Sequence, residues 1–578
     1  GMGEALRRTA LRYRALFLCP FTVVSPVVGD RPTGVEEIPG IGLAPSLRCG
    51  EMHGMMHRLI GLFALALLAP SARPAPVVVS PVAASHGMVV AGHPQAAEIG
   101  LTVLKGGGNA IDAAIATSLS LGVAEPYASG LGGKLMLLYY EAKSGKIFVV
   151  DAMDAAGSLD VTAYRKRPDV DRSYGYGAVC VPGLPAGLWA AHQKWGAKKW
   201  ADDIQPAVAL ARAGIRVLSK TREFFEEQEK KLRRGDAELA RLFLPGGKLP
   251  EVGSRLANES LARTMELFAA QGRDGFYRGV IAEDIAGAAA QGGGVITLDD
   301  LARYEARIVE PIEMTFRGYR LVCAPPPAQG PPLFLTIMKA LETADLGGGP
   351  LRSVDNLDRI GRLWRVVEPR IWREFGDYPQ ARLNFEKLVS PDSILAIRQA
   401  AFGPPFPPAR STGALFHGIE PLALASTTHF VIVDAAGNVV CATQSLSSHF
   451  GAGVVAPRTG VVLNNSMSDF AHDPRDELNQ IAAGRRPIST LSPTIVLRNG
   501  RPVLALGVPG GLQIPTTMLQ VLLDRLALNR SLADAIGDTR VHYNSPFGAR
   551  PTETFEAEKS LPADLVAAMT ARGWQVEL

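Results

Sequence analysis

Cysteine is scarce in this chain. Five residues in 578, Cys19, Cys49, Cys180, Cys323 and Cys441, show no CxxC pair and no zinc-ligand spacing. A disulfide framework and a cysteine metal centre are therefore not indicated. His429, His449 and His472 stand singly in strand or loop contexts, so no metal site or cofactor is expected from them. An excess of one charge is also missing: 60 basic against 56 acidic residues leave +4, which gives no electrostatic footprint for nucleic acid. The basic cluster at 230–234 lies among Glu226, Glu227, Glu229 and Glu238 and reads as a solvated helix face. The apolar run at 59–68 is too short to span a membrane. No Gly-x-Ser-x-Gly occurs, which disfavours a serine hydrolase of the α/β type. Gly130-Leu131-Gly132-Gly133-Lys134 fails as a phosphate loop, because Leu135 stands where Ser or Thr is required and Ala128 where the first glycine belongs.

What is present is an ordinary globular composition, 47% hydrophobic and 20% charged, long enough for a sizeable core. Met55-Met56-His57-Arg58, the apolar 59–68 and Ala69-Pro70-Ser71-Ala72 have the charged start, apolar middle and small-residue exit of a secretory signal peptide over 55–72. Residues 1–54 then read as an over-long start assignment and 73–86 as an extended arm, and a periplasmic or secreted mature protein is expected. No stable membrane span is expected in it.

Three stretches carry the strongest local signals. Ile111, Ala114, Ile115, Ser118 and Leu119 recur at helical spacing, so 109–121 is predicted to be a small-residue helix with one buried face. Residues 427–433 are β-branched and aromatic and read as a strand, with 434–438 as its turn and 439–443 returning. The apolar 503–508, Pro509-Gly510-Gly511 and a helical pattern over 515–526 read as strand, tight turn and helix. Glycines in such a turn let backbone N–H groups approach a ligand, as an oxyanion hole requires.

Several separated segments, in order, resemble the γ-glutamyltranspeptidase family of N-terminal nucleophile hydrolases. They are Gly106-Gly107-Gly108-Asn109-Ala110-Ile111-Asp112-Ala113-Ala114, Glu125-Pro126, Ser129-Gly130-Leu131-Gly132-Gly133, Val181-Pro182-Gly183 and Pro325-Pro326-Pro327 with Gly330. Thr427-Thr428-His429-Phe430, Phe450-Gly451, Leu463-Asn464-Asn465, Ser492-Pro493-Thr494 and Pro509-Gly510-Gly511 follow. The resemblance implies a four-layer αββα sandwich, and self-cleavage between Ser426 and Thr427 into a large chain, 87–426, and a small chain, 427–578, that build one intertwined domain. It makes Thr427 the nucleophile, with Ser445 in place of a threonine that hydrogen-bonds it, and Gly510 and Gly511 the oxyanion hole. A threonine freed at its amine carries nucleophile and base on one residue, since an α-amine with a pKa of roughly 7.7–8.0 is partly neutral near pH 7.

The head-group positions depart from the family. The arginine that grips the substrate α-carboxylate falls on Met153, an asparagine on Ser447, a Gln or Glu on Ser466, and an acidic pair on Ser468-Asp469. Asp469 is expected to remain available for an amino group, and Ser489 and Thr490 keep hydroxyls for a carboxylate. Methionine cannot pair with a carboxylate as an arginine fork does. Arg458, Arg485 or Arg486 are the candidates for a replacement charge. The stretch between Phe470 and Arg486 is short where some members carry a lid, and the chain ends at Leu578, where the family adds a closing hairpin that a partner chain could replace. The expectation is a self-processing amidohydrolase or acyltransferase with altered head-group recognition. The alternatives are an acylase for a cephalosporin side chain, an oxo-acid amide or poly-γ-glutamate, or a non-catalytic binding protein that keeps the sandwich, and a homo-oligomer is left open.

Overall fold

Alternation of apolar residues on both faces of the strands makes two sheets that are each covered twice. The structure, a computed structural model, describes residues 22–24, 82–347, 350–403, 425–471, 478–543 and 553–578. Residues 55–72, most of the arm at 73–86, His472 and 473–477 lie outside the described residues. Contacts divide the chain into residues 26–83 and the remainder, and the architecture is that of the remainder.

The principal strands are β1 (Thr22–Val24), β2 (Met88–Ala91), β3 (Lys134–Glu141), β4 (Lys146–Ala152), β5 (Arg307–Val309), β6 (Ile312–Phe316), β7 (Tyr319–Cys323), β8 (Ala425–Val433), β9 (Val439–Ser448), β10 (Thr494–Arg498) and β11 (Arg501–Gly507). One antiparallel sheet has the order β2-β8-β9-β3-β4-β5, the other β1-β11-β10-β7-β6. The edge strand β1 comes from the stretch read as an over-long start, and its backbone pairs Thr22 to Val24 with Gly507 to Ala505.

Period-two alternation explains the layering. In β3, Leu135, Leu137 and Tyr139 enter a core shared with helices, while Met136, Leu138 and Tyr140 face the other sheet. In β8, Phe430 and Ile432 take the helix side and Val431 the inter-sheet side. On the second sheet Leu504 and Leu506 meet its own helices and Ala505 the inter-sheet core. The result is the expected αββα sandwich.

The helix α1 (Ala110–Ala124) begins at Asn109, whose side chain accepts from the Ile111 and Asp112 N–H groups while Asp112 returns a bond to the Asn109 N–H. That reciprocal cap satisfies amides the helix itself cannot. Asp434, in the turn after β8, accepts from Ala110 N–H at 3.0 Å and adds a carboxylate where the helix dipole favours one. The expectation of one buried face is corrected: every residue of α1 is buried, because helices Pro94–Lys105 and Trp200–Ala213 cover it as well as the sheet. The solvated basic face at 230–234 is also corrected in part. Arg233 pairs outward with Glu229, but Lys231 is buried and its Nζ donates to the carbonyls of His449 and Gly451 at 2.9 and 3.2 Å.

Candidate active site

The strand β8 carries Ser426 and Thr427 beside β9. Ser426 faces Ser447 and Thr428 faces Gln444, so Thr427 alone opposes Ser445 and Leu446. A bulge of this kind re-aims a side chain. The Thr427 hydroxyl lies 3.2 Å from Ser445 Oγ, which also accepts from Ser447 N–H at 3.0 Å and donates to the Ser426 carbonyl oxygen in a very short bond. One serine thus touches both the hydroxyl and the carbonyl that flank the 426–427 bond. Gly133 explains the close approach behind it, since a Cβ there would meet the Ser445 carbonyl oxygen at 2.3 Å.

Thr427 opens on a cleft of about 500 Å³ that both prospective chains line. Lys134, Gln329 and Trp372 come from before the 426–427 bond, and Ser445, Ser447, Asp469, Ile488, Ser489, Thr490, Leu491, Gly511 and Leu512 from after it. Gly510 and Gly511 have φ of 127° and 56°, conformations that only glycine adopts without strain. No described residue accepts from either N–H, while the Gly511 carbonyl is taken by Thr490 Oγ at 2.8 Å. Ser489 Oγ accepts from Leu491 N–H at 3.3 Å.

One end of the cleft is a charged network that sequence reasoning did not assemble. Lys134 Nζ donates to Ser447 Oγ at 2.5 Å, Asp469 Oδ2 at 2.8 Å and Ser466 Oγ at 3.1 Å. Ser466 in turn donates to Asp154 Oδ2 at 2.5 Å. Burial opposes the Lys134 charge, but Asp469 and Asp154 outweigh it and hold the ammonium above the ordinary lysine range. Burial pushes the Asp154 carboxyl up to about 7, against the pull of Lys134. Ser447 reaches Lys134 from φ 74°, a conformation that costs a non-glycine residue about 1–2 kcal/mol and recurs at functional sites. The available signal was a lysine between Gly133 and Leu135, at the start of a strand otherwise apolar on both faces.

Four expectations fail here. Met153 does not line the cleft; it is fully buried between the sheets with Val322 and Leu491, because a thioether is better kept in the core. Asp469 is not available for an amino group, since Lys134 and Ser447 already occupy its Oδ2. None of the three arginines lines the cleft: Arg458 is exposed against Asp284, Arg486 pairs with Asp151 at 2.6 Å, and Arg485 reaches the Gln480 carbonyl at 3.5 Å. Ser466 is buried behind Ser447 rather than exposed to the cleft. Trp372 and Gln329 were also missed: Trp372 lies in no motif, and Gln329 sits inside the Pro325–Gly330 segment without being singled out. His429 and His449 are buried, and burial lowers both to about 3, so they are neutral. Away from the cleft, Asp112, His192 and Asp203 bring donor atoms within 4.8 Å of one another.

Known proteins resemble this chain over most of its length. The Gamma-glutamyltranspeptidase family profile matches residues 96–578. A glutathione hydrolase proenzyme from Pseudomonas sp. (strain A14) is 34% identical over 481 residues, covering 80% of this chain and 82% of the relative. An acylase ACY 1 proenzyme from Pseudomonas sp. (strain SE83) is 33% identical over 517 residues, covering 86% and 88%. Among solved structures, the cephalosporin acylase from Bacillus halodurans superposes with a TM-score of 0.76 at 26% identity, covering 88% of this chain and 92% of that one. A family profile across most of the chain, relatives matched over more than four fifths of their own length and a matching sandwich lead to one conclusion: the chain belongs to the γ-glutamyltranspeptidase family and is a hydrolase of that family.

Proposed function

We propose that this protein is a self-processing amidohydrolase whose nucleophile is Thr427. The observation that carries the reading is the placement of Ser445 Oγ between the Thr427 hydroxyl and the Ser426 carbonyl, at the mouth of a cleft that Gly511 also lines. In maturation, Thr427 Oγ adds to the Ser426 carbonyl carbon while Ser445 holds the carbonyl oxygen. The C–N bond breaks, the hydroxyl proton goes to the departing nitrogen, and an ester joins Ser426 to Thr427 Oγ. Water hydrolyses it, leaving a carboxylate on Ser426 and a free amine on Thr427.

Turnover repeats this chemistry on a substrate amide. The Thr427 amine takes the hydroxyl proton as Oγ attacks, then delivers it to the leaving amine. The Gly510 and Gly511 N–H groups, for which no described residue is an acceptor, are our candidates to hold the oxyanion; one such donor contributes about 2.7–4 kcal/mol in other enzymes. Water then releases the acyl group. The named relatives include glutathione hydrolases and acylases, and among the described residues no arginine lines this cleft, which favours an acyl head other than γ-glutamyl. The pattern at 55–72 supports export before the protein acts.

The test is N-terminal sequencing and intact mass of the purified protein. We expect two chains, one beginning at Thr427, with amidase activity. Thr427→Ala should leave one uncut, inactive chain. An unprocessed wild-type protein would overturn the reading.

A further inference from the structure

We infer that Lys134 is a built-in occupant of the amine subsite, so that the acyl donors of this enzyme carry no ammonium group. The inference rests on the amidase reading for its substrate class, but its geometry is independent of it. An alkylammonium has three N–H donors, and all three of Lys134 are met, by Ser447, Ser466 and Asp469. A free substrate amine would have to find the same acceptors. It would meet Asp469 with Oδ2 already taken twice and Oδ1 touched by Ser468 Oγ at 3.4 Å, and it would arrive beside a like charge.

The network is built as a site and not as a surface ion pair. Lys134 is 2% exposed, its partners Ser447, Ser466 and Asp469 are all buried, and Ser447 is held at positive φ with its hydroxyl on Nζ. Lys134 and Asp469 nevertheless line the cleft together with Thr427. Their charges cancel, so the cleft presents a compensated wall at this end and Trp372, Ile488, Leu491 and Leu512 elsewhere. The fitting class is an amide of an uncharged or hydroxyl-bearing acyl group, aliphatic or aromatic, that lacks an amine where Lys134 Nζ stands.

Removing the lysine tests this directly. Lys134→Ala vacates the ammonium position and leaves Ser447, Ser466 and Asp469 to receive an external one. Lys134→Met removes the charge but keeps the volume. Processed wild type should hydrolyse phenylacetyl and butyryl anilides with kcat/KM at least tenfold above that for a γ-glutamyl anilide. In Lys134→Ala the ratio should move toward the γ-glutamyl anilide by tenfold or more, and in Lys134→Met it should not. Calorimetric titration with L-glutamate reads the same subsite without turnover. Binding should be at least tenfold tighter to Lys134→Ala than to wild type or Lys134→Met. Equal L-glutamate binding by wild type and Lys134→Ala, or a γ-glutamyl preference in wild type, would overturn the inference. A protein that is never cut at 426–427 would instead overturn the amidase reading, and the calorimetric arm would still decide the role of Lys134.

Discussion

Buried carboxyls away from the cleft make the protein sensitive to pH in a direction that can be worked out. Asp203 is fully buried, no described donor lies within hydrogen-bond distance of either oxygen, His192 Nε2 stands 3.8 Å from Oδ2, and Asp112 lies beside it. Burial, with the neighbouring carboxylate, pushes it up to about 8. An acid held above its unfolded value of roughly 3.9 keeps its proton in the native state, so its contribution is complete below pH 4 and lost as pH rises toward 8. Asp203→Asn, made in the uncut Thr427→Ala background to keep a single chain, should therefore gain on its parent as pH rises from 5 to 8. The gain expected is at least about 1 kcal/mol, since one pKa unit corresponds to about 1.4 kcal/mol. Thermal midpoints across that range check it. A difference that is flat with pH would mean that Asp203 is ionised in the native state.

At the scale of elements, the glycine-rich segment before β3 sets where β9 can lie. A Cβ on Gly133 would meet the Ser445 carbonyl oxygen, and one on Gly132 the Val462 carbonyl oxygen at 2.0 Å. Gly133→Ala should push β9 away from β3 and carry Ser445 off the 426–427 bond. We expect most processing to be lost, read as uncut chain on a denaturing gel, together with a lower thermal midpoint. These elements were largely legible beforehand. The β-branched 427–433, its turn and its return appear as β8 and β9, and the apolar 503–508 and the helical pattern after it as β11 and helix Gln513–Leu526. Strand pairs announce themselves through local composition. The Lys134 network did not, because Lys134, Asp154, Ser447 and Asp469 are brought together by long-range register, and one-residue alternation decides which side chains reach the cleft. Met153 illustrates the same limit: two residues beyond Asp151, it follows a strand whose alternation sends its side chain between the sheets.

For the whole molecule, the six-stranded sheet places β9 and all of β8 after Ser426, from the small-chain side of the bond, between β2 and β3, from the large-chain side. Asp434 on the small-chain side also caps α1 on the other. Cutting the backbone removes none of these contacts. The processed chains should co-elute on gel filtration under native conditions and separate only in denaturant. Separation without denaturant would mean that the shared sheet does not hold them together.

The interleaving has a consequence for quality control. Ser445 reaches the Ser426 carbonyl only when β8 has paired with β9, and β9 is seated only when β3 lies on its other side. Under the proposed mechanism, a molecule that stalls before the sheet closes keeps Thr427 locked in a peptide bond, without the amine assigned to it as base. On that mechanism, completed assembly licenses activity, and a misassembled copy would be inert by default.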